Sequence, residues 1–138
     1  MGIDFGERRV GVAVSDPTGT LATPVDTLIR RRGKRPPLKR LEELARAHGV
    51  GTLVMGLPLD LEGNETPWCA EIREVGDALG SRLDLPVHYV DERFTSVQAE
   101  EVVRSIGLKK RDREEKARVD AAAAALILQR WLDGEEGR

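Results

Sequence analysis

Hydrophobic residues alternate with small or polar residues over the first fifteen positions, which is the pattern of two short β-strands. Ile3 and Phe5 fall on one face of the first strand, and Asp4 falls on the other face between glycines. Valines at every second position from Val10 predict a second strand that pairs with the first as a hairpin. An unpaired carboxylate in the middle of a sheet is unfavourable. Asp4 therefore requires a metal ion, a basic side chain or phosphate-bound cations nearby.

The remaining pattern alternates between runs of strand length and stretches of helical periodicity. Pro24 interrupts an extended run at 21–29 and indicates an edge strand or a bulge. Further strands are predicted at 52–57 and 86–90, and helices at 38–49, 68–83, 96–106 and 114–132. A loop is predicted at 58–67 and a basic loop at 107–113. This order predicts an α/β domain over 1–138: a three-stranded antiparallel meander, then two parallel strands, flanked by helices.

Two further acidic sites occupy notable positions in this plan. The run Asp91-Glu92-Arg93 directly follows a predicted parallel strand at its carboxyl end, where open α/β sheets place ligand clefts, although capping of the next helix by Asp91 or Glu92 is an alternative role. Asp120 begins an apolar helical stripe that continues through Ala124 and Ile127 and faces the sheet. A favourable interaction with the helix dipole would also explain an aspartate in the first half of this helix. The small residues at 121–125 would let this helix approach the sheet. The small residues around Asp4, namely Gly2, Gly6, Gly11 and Ala13, are expected to leave room for metal ions and a phosphodiester.

Composition and charge narrow the possible functions. The 138 residues contain one cysteine, Cys69, and show no leader or membrane-length apolar run, so a cytoplasmic protein is expected. The net charge of −2 gives no overall attraction for nucleic acid, but basic residues are clustered at 30–40 and 109–113. These clusters could grip phosphates or could be solvated loops. The candidate phosphate contacts are Arg31, Arg32, Arg35, Lys109 and Lys110.

Three carboxylates from separate elements suit metal-assisted phosphoryl transfer. Carboxylate oxygens favour Mg²⁺ or Mn²⁺, and two such ions can activate water and stabilise the leaving oxygen of a phosphodiester. The two histidines, His48 and His88, show no zinc-ligand spacing, and a Gly-x-Ser-x-Gly elbow and a P-loop are both missing from the sequence. Asp4, Glu92 and Asp120 are therefore the candidate catalytic and metal-binding residues.

Four motifs in order resemble those of one protein family. They are Gly-Ile-Asp-Phe-Gly with Arg-Val-Gly-Val-Ala-Val-Ser-Asp, Gly-Leu-Pro-Leu-Asp-Leu-Glu-Gly-Asn, Asp-Glu-Arg-Phe-Thr-Ser, and Val-Asp-Ala-Ala-Ala-Ala-Ala-Leu-Ile-Leu. Together they resemble the YqgF (RuvX) family of pre-16S rRNA nucleases, also described as Holliday junction resolvase-like. The resemblance implies a ribonuclease H-like fold, metal-binding acids at Asp4, Glu92 and Asp120, and a phosphate contact at Arg93. It also implies that the loop from Leu57 to Pro67 flanks the cleft.

The chain departs from the family pattern at two positions, and several alternatives stay open. Thr66 stands where the family commonly has glycine, and Phe94 replaces an aliphatic residue, either as a core exchange or as a base-stacking group. The alternative substrate is a four-way DNA junction, whose symmetric cutting would need a homodimer. A non-catalytic ribosome-assembly factor that binds nucleic acid is a second alternative. An actin-like nucleotide-binding domain is a third, suggested by the Gly-Ile-Asp-Phe-Gly motif.

Overall fold

The computed structural model describes residues 1–30, 35–92 and 112–134. The strands are β1 (Gly2–Phe5), β2 (Arg9–Ser15), β3 (Ala22–Ile29), β4 (Leu53–Leu57) and β5 (Val87–Asp91). The helices are α1 (Leu38–Ala47), α2 (Pro67–Leu83) and α3 (Asp112–Leu132). Each predicted element within these ranges is present, with ends shifted by one or two residues. The predicted helix at 96–106 lies outside the described residues.

The five strands form one mixed sheet in the order β3-β2-β1-β4-β5. β1 pairs antiparallel with β2 and β2 antiparallel with β3, whereas β4 is parallel to both β1 and β5. The predicted meander followed by two parallel strands is confirmed. β3 is an edge strand, and the register of the β2–β3 pair shifts between Val12 and Ala13, opposite Pro24. Because proline cannot donate a ladder hydrogen bond, the edge position and the irregularity together accommodate it.

One face of the sheet packs against α1 and α2 and contains the larger core. Ile3 and Phe5 of β1 lie in this core, as the alternation predicts. All five residues of β4 are buried, since this strand is central and covered on both faces. The helical side chains buried against this face are those of Leu41, Leu44, Ala45, Cys69, Ile72, Val75 and Leu79.

The other face of the sheet packs against α3 at very short range. Its core is formed by Ala13, Val54 and Val90 from the sheet and by Ala124, Ile127 and Leu128 from the helix. A Cβ atom at Gly11 would lie 2.0 Å from the carbonyl oxygen of Asp120, and one at Gly2 would lie 2.7 Å from that of Ala124. The helix backbone therefore rests directly on these glycines.

The expectation that the small residues leave room for metal ions and a phosphodiester is wrong for these positions. The space above Gly2 and Gly11 is filled by α3, and Ala13 is buried in the same core. Gly6 serves the hairpin turn, because a Cβ there would lie 2.7 Å from the carbonyl oxygen of Arg9. The small residues of the sheet instead allow a close approach of α3, the helix that carries Asp120. The small residues of the helix itself predict this close approach.

None of the helices within the described residues is both long and apolar enough to span a membrane.

We predict that Gly11→Ala destabilises the protein by about 1–3 kcal/mol, the usual cost of overpacking a core. The added methyl group would push against the backbone of α3, which cannot move aside as a flexible side chain could. The urea midpoint of unfolding measures the effect. The matched control is Gly51→Ala, where the added methyl group meets nothing within 4 Å. Equal midpoints for the two variants would contradict the close approach of α3.

Candidate active site

Two acidic side chains, Asp4 and Glu92, are hydrogen-bonded where β1 and β5 end, and Asp120 of α3 is near enough for its charge to act on Asp4. Asp4 lies on the α3 face of β1, opposite Gly11 of β2 in the strand register. Glu92 directly follows β5, and its backbone N–H donates a 3.1 Å hydrogen bond to the carbonyl oxygen of Leu57 at the end of β4. Its carboxylate lies over Gly56, where a Cβ atom would be 2.8 Å from Oε2. The lack of a side chain at Gly56 thus makes room for Glu92 beside Asp4.

A side-chain hydrogen bond joins the buried carboxyl groups of Asp4 and Glu92. Burial raises the pKa of Asp4 to about 6, partly opposed by a side-chain hydrogen bond from Glu92 and reinforced by the charge of Asp120. Burial, the charge of Asp4 and the same hydrogen bond raise the pKa of Glu92 to about 9. Glu92 is therefore the protonated partner at neutral pH and donates to the Asp4 carboxylate. In this state the pair carries one negative charge instead of two.

Asp120 is placed by the backbone of α3 above Gly11. Burial raises its pKa, and the positive charge of Arg9 partly opposes that shift. Its Oδ2 atom is buried and accepts no hydrogen bond from the described residues. Because buried polar atoms are almost always paired, this oxygen is a candidate ligand atom for a cation or a bound donor.

Two basic residues at the site were not singled out by the sequence patterns. Arg9 lies two residues before Gly11 and so shares its face of the sheet, which the valine alternation in β2 could have indicated. Arg130 of α3 donates a hydrogen bond from Nη1 to the carbonyl oxygen of Asp91 and so secures the residue next to Glu92. No sequence signal connects Arg130 to β5, since the contact depends on how α3 crosses the sheet.

The loop between β4 and α2 is held in place by local hydrogen bonds. Oδ1 of Asp60 accepts from the backbone N–H groups of Glu62 and Asn64 at 3.0 and 2.8 Å. Glu65 accepts two hydrogen bonds of 2.8 Å from Arg73 of α2. Thr66 has an extended backbone with φ of −99°, which any residue adopts, so this position does not require the family's glycine.

Of the other predicted site residues, Arg35 is the one that the structure describes. Arg35 is exposed on the segment before α1. Outside the described residues lie Arg31, Arg32, Arg93, Phe94, Lys109 and Lys110.

The donor set suits a hard cation, although it does not form a ready-made cage. Within residues 1–30, 35–92 and 112–134, no three His, Cys, Asp or Glu side chains stand in an arrangement that would hold a metal ion. The hydrogen bond between Asp4 and Glu92 occupies oxygens that a cation would need. The buried Oδ2 of Asp120 and the two adjacent carboxyl groups nevertheless provide the oxygen ligands that Mg²⁺ and Mn²⁺ prefer.

Comparison with solved structures places the chain in the ribonuclease H-like fold class. The structure described as Thermus thermophilus RuvC superposes with a TM-score of 0.57 at 19% sequence identity, over 97% of this chain and 93% of that chain. T. thermophilus RuvC in complex with Holliday junction substrate gives a TM-score of 0.58 at 20% identity, over 99% of this chain and 94% of that chain. The predicted ribonuclease H-like fold is confirmed.

The chain belongs to the RuvX family, whose sequence model, described as "Holliday junction resolvase", matches residues 1–134. A Roseiflexus sp. (strain RS-1) protein named "Putative pre-16S rRNA nuclease" is 43% identical over 135 residues, covering 98% of this chain and 94% of that protein. A Nocardioides sp. (strain ATCC BAA-499 / JS614) protein of the same name is 44% identical over 138 residues, covering 98% of this chain and 87% of that protein. The family resemblance of the four sequence motifs is confirmed.

We predict that without divalent cations the free energy of unfolding falls as the pH rises from 4.5, the ordinary value for glutamate, to about 9. The raised pKa values of Glu92 and Asp4 mean that the folded state binds more protons than the unfolded chain in this range. Glu92→Gln should flatten this dependence, because glutamine donates to Asp4 at every pH. Urea midpoints measured in a chelating buffer across this range test the effect. The control is Glu62→Gln, on the exposed loop; an equal slope in both variants would contradict the hydrogen bond from Glu92 to Asp4.

Proposed function

We propose that this protein is a divalent-metal-dependent nuclease that hydrolyses nucleic-acid phosphodiesters in processing the 5′ end of pre-16S ribosomal RNA. The observation that carries the proposal is the hydrogen-bonded pair of Asp4 and Glu92 with Asp120 nearby, three acids from three separate elements on one side of the sheet. Burying three carboxyl groups together is unfavourable for folding, so their convergence is best explained by a ligand of opposite charge. The names of the relatives supply the substrate class. Such a role would be carried out in the cytoplasm.

Asp4, Glu92 and Asp120 would hold the cations, Mg²⁺ or Mn²⁺. Cations held by these residues would supply activation of a water molecule and stabilisation of the leaving oxygen of the phosphodiester. Glu92 must first release the proton that it donates to Asp4, and its raised pKa makes this step unfavourable in the absence of a cation. Cation affinity should therefore increase with pH through the neutral range.

The protein's own residues contribute orientation. Asp4 is fixed by β1, which pairs with β2 on one side and β4 on the other. Glu92 is fixed by its backbone hydrogen bond to Leu57, and Asp120 by the contact of α3 with Gly11. Carboxylates held on strands and a packed helix lose little further freedom when a substrate binds, which is how preorganised sites favour a reaction.

Resolution of four-way DNA junctions is the second candidate function. It is favoured by the description of the family model, "Holliday junction resolvase". This reaction cuts two strands symmetrically and therefore needs two active sites in a homodimer. A monomeric enzyme under assay conditions would favour RNA processing over junction resolution.

We predict that Asp4→Asn and Asp120→Asn each reduce kcat by more than the roughly 100-fold lost when an outer-shell metal partner is removed. Both variants keep the shape of the side chain and remove its charge. Cleavage of a pre-16S RNA leader, a single-stranded RNA and a four-way DNA junction is measured with Mg²⁺ or Mn²⁺.

The control for these variants is Asp84→Asn. Asp84 follows α2 with a left-handed backbone, which asparagine tolerates, and it precedes β5 at the opposite end of the strand from Glu92. Asp84→Asn should cleave like the wild type. If the wild type cleaves none of the three substrates, or if the Asp4 and Asp120 variants cleave as well as it does, the nuclease proposal fails.

Arg31, Arg32 and Arg35 are proposed to contact phosphates away from the reacting bond. Replacing all three with alanine should lower the salt dependence of RNA binding, by about 0.7 in the logarithmic slope for each phosphate that is no longer bound. Fluorescence anisotropy over a salt series measures the slope. Arg46→Ala with Arg82→Ala is the control, because these exposed arginines already pair with Glu42. An unchanged slope in the triple variant would remove this cluster from the binding surface.

A further inference from the structure

Arg9 has an unusual position among the basic residues near the acidic cluster. It is the first residue of β2, opposite Ile29 of the edge strand β3. Its backbone carbonyl accepts a 2.9 Å hydrogen bond from Gly6, which closes the β1–β2 hairpin. Because alternate residues of a strand face the same side, Arg9 shares the α3 face with Gly11, the residue on which Asp120 rests.

Arg9 lies on the same face of the sheet as the acids. Gly11, two residues further along this face, is opposite Asp4 in the strand register and lies directly against the backbone of Asp120. Yet Arg9 makes no side-chain hydrogen bond or ion pair within the described residues, although it is partly buried. A half-buried guanidinium with five N–H donors has the capacity to bind another anion.

The neighbouring arginines do not combine a place on the α3 face with unpaired side-chain donors. Arg30 donates a 3.0 Å hydrogen bond from Nη1 to the carbonyl oxygen of Gly6, and its guanidinium lies 4.6 Å from the centre of the Phe5 ring. Phe5 belongs to the opposite face of the sheet, so Arg30 is engaged away from the acids. Arg8 is exposed in the hairpin turn. Arg9 therefore combines a place on the acidic face with unused donors.

We propose that Arg9 binds the non-bridging oxygens of the phosphodiester that lies over Asp4 and Asp120, and so positions the substrate for cleavage. This inference rests on the proposed nuclease function for the identity of the anion. A phosphate next to several carboxylates experiences repulsion, which a fixed guanidinium relieves while its planar fork sets the orientation of the phosphate. Arg9 stands on a strand that is paired with β3, so its position is defined before substrate binds.

The first test measures binding, independently of cleavage. A short fluorescein-labelled single-stranded RNA is titrated with Ca²⁺ as the divalent cation, for wild type, Arg9→Ala, Arg9→Lys and Arg8→Ala. Arg9→Ala should bind about tenfold to a hundredfold more weakly, as expected for loss of a charged hydrogen bond, with a salt slope lower by about 0.7. Arg9→Lys should keep the salt slope but lose part of the affinity, because an ammonium group cannot form the bidentate contact. Arg8→Ala, which removes the same charge from the adjacent exposed position, should resemble the wild type.

The second test locates the contact on the substrate. The phosphate at the mapped cleavage position is replaced by an uncharged methylphosphonate. This change should weaken binding by the wild type and by Arg8→Ala, and should have little further effect on Arg9→Ala, because the two changes remove one interaction. Urea midpoints for each variant show whether the fold is intact, and Arg9→Lys provides the result if Arg9→Ala is unstable.

The outcomes separate this inference from the proposed function. If Arg9→Ala matches Arg8→Ala in salt slope and in sensitivity to the methylphosphonate while the wild type cleaves RNA, the role of Arg9 is overturned and the nuclease proposal stands. If the wild type cleaves nothing but Arg9→Ala alone shows the lower salt slope, Arg9 binds phosphate in a protein that is not a nuclease. If the wild type binds neither the RNA nor a four-way DNA junction, the role of Arg9 is overturned as well.

Discussion

The contact between the backbone of α3 and the glycines of β1 and β2 is the constraint on which the candidate site depends. Only a residue without a side chain fits at Gly11, since a Cβ atom there would lie 2.0 Å from the carbonyl oxygen of Asp120. The same contact brings Asp120 over the strand that pairs with Asp4. The small core beneath α3, built from Ala13, Ala124 and a few larger residues, follows from this close approach.

The buried carboxyl groups of the site lower the stability of the surrounding fold. Burial raises the pKa values of all three acids, and the proton of the hydrogen bond between Asp4 and Glu92 reduces the charge that must be buried. The buried Oδ2 of Asp120 has no partner among the described residues. Such unfavourable groups persist where a ligand compensates for them, so the same electrostatics that weaken the metal-free protein prepare the site to bind cations.

The two faces of the sheet have different roles. The face under α1 and α2 contains large aliphatic and aromatic side chains and holds the fold together. The α3 face carries the acids and Arg9, and small residues let it lie close to the helix. The strand order, with β1 central and β4 next to it, places Asp4 and the end of β5 within reach of each other. Membership of the RuvX family agrees with a site built at this place.

Periodicity determined much of this protein without reference to tertiary structure. Strand alternation placed Asp4 on the face opposite Ile3 and Phe5, and Pro24 indicated the edge strand, because these properties depend only on neighbouring residues. Helical spacing put Asp120 on the stripe that faces the sheet, and its small neighbours indicated a close approach. Tertiary structure decided what fills the space above Gly2 and Gly11, that Glu92 is hydrogen-bonded to Asp4, and that Arg9 and Arg130 join the site. These three features depend on how α3 crosses the sheet and on how deeply each group is buried. Both properties are determined jointly by residues that are far apart in the chain.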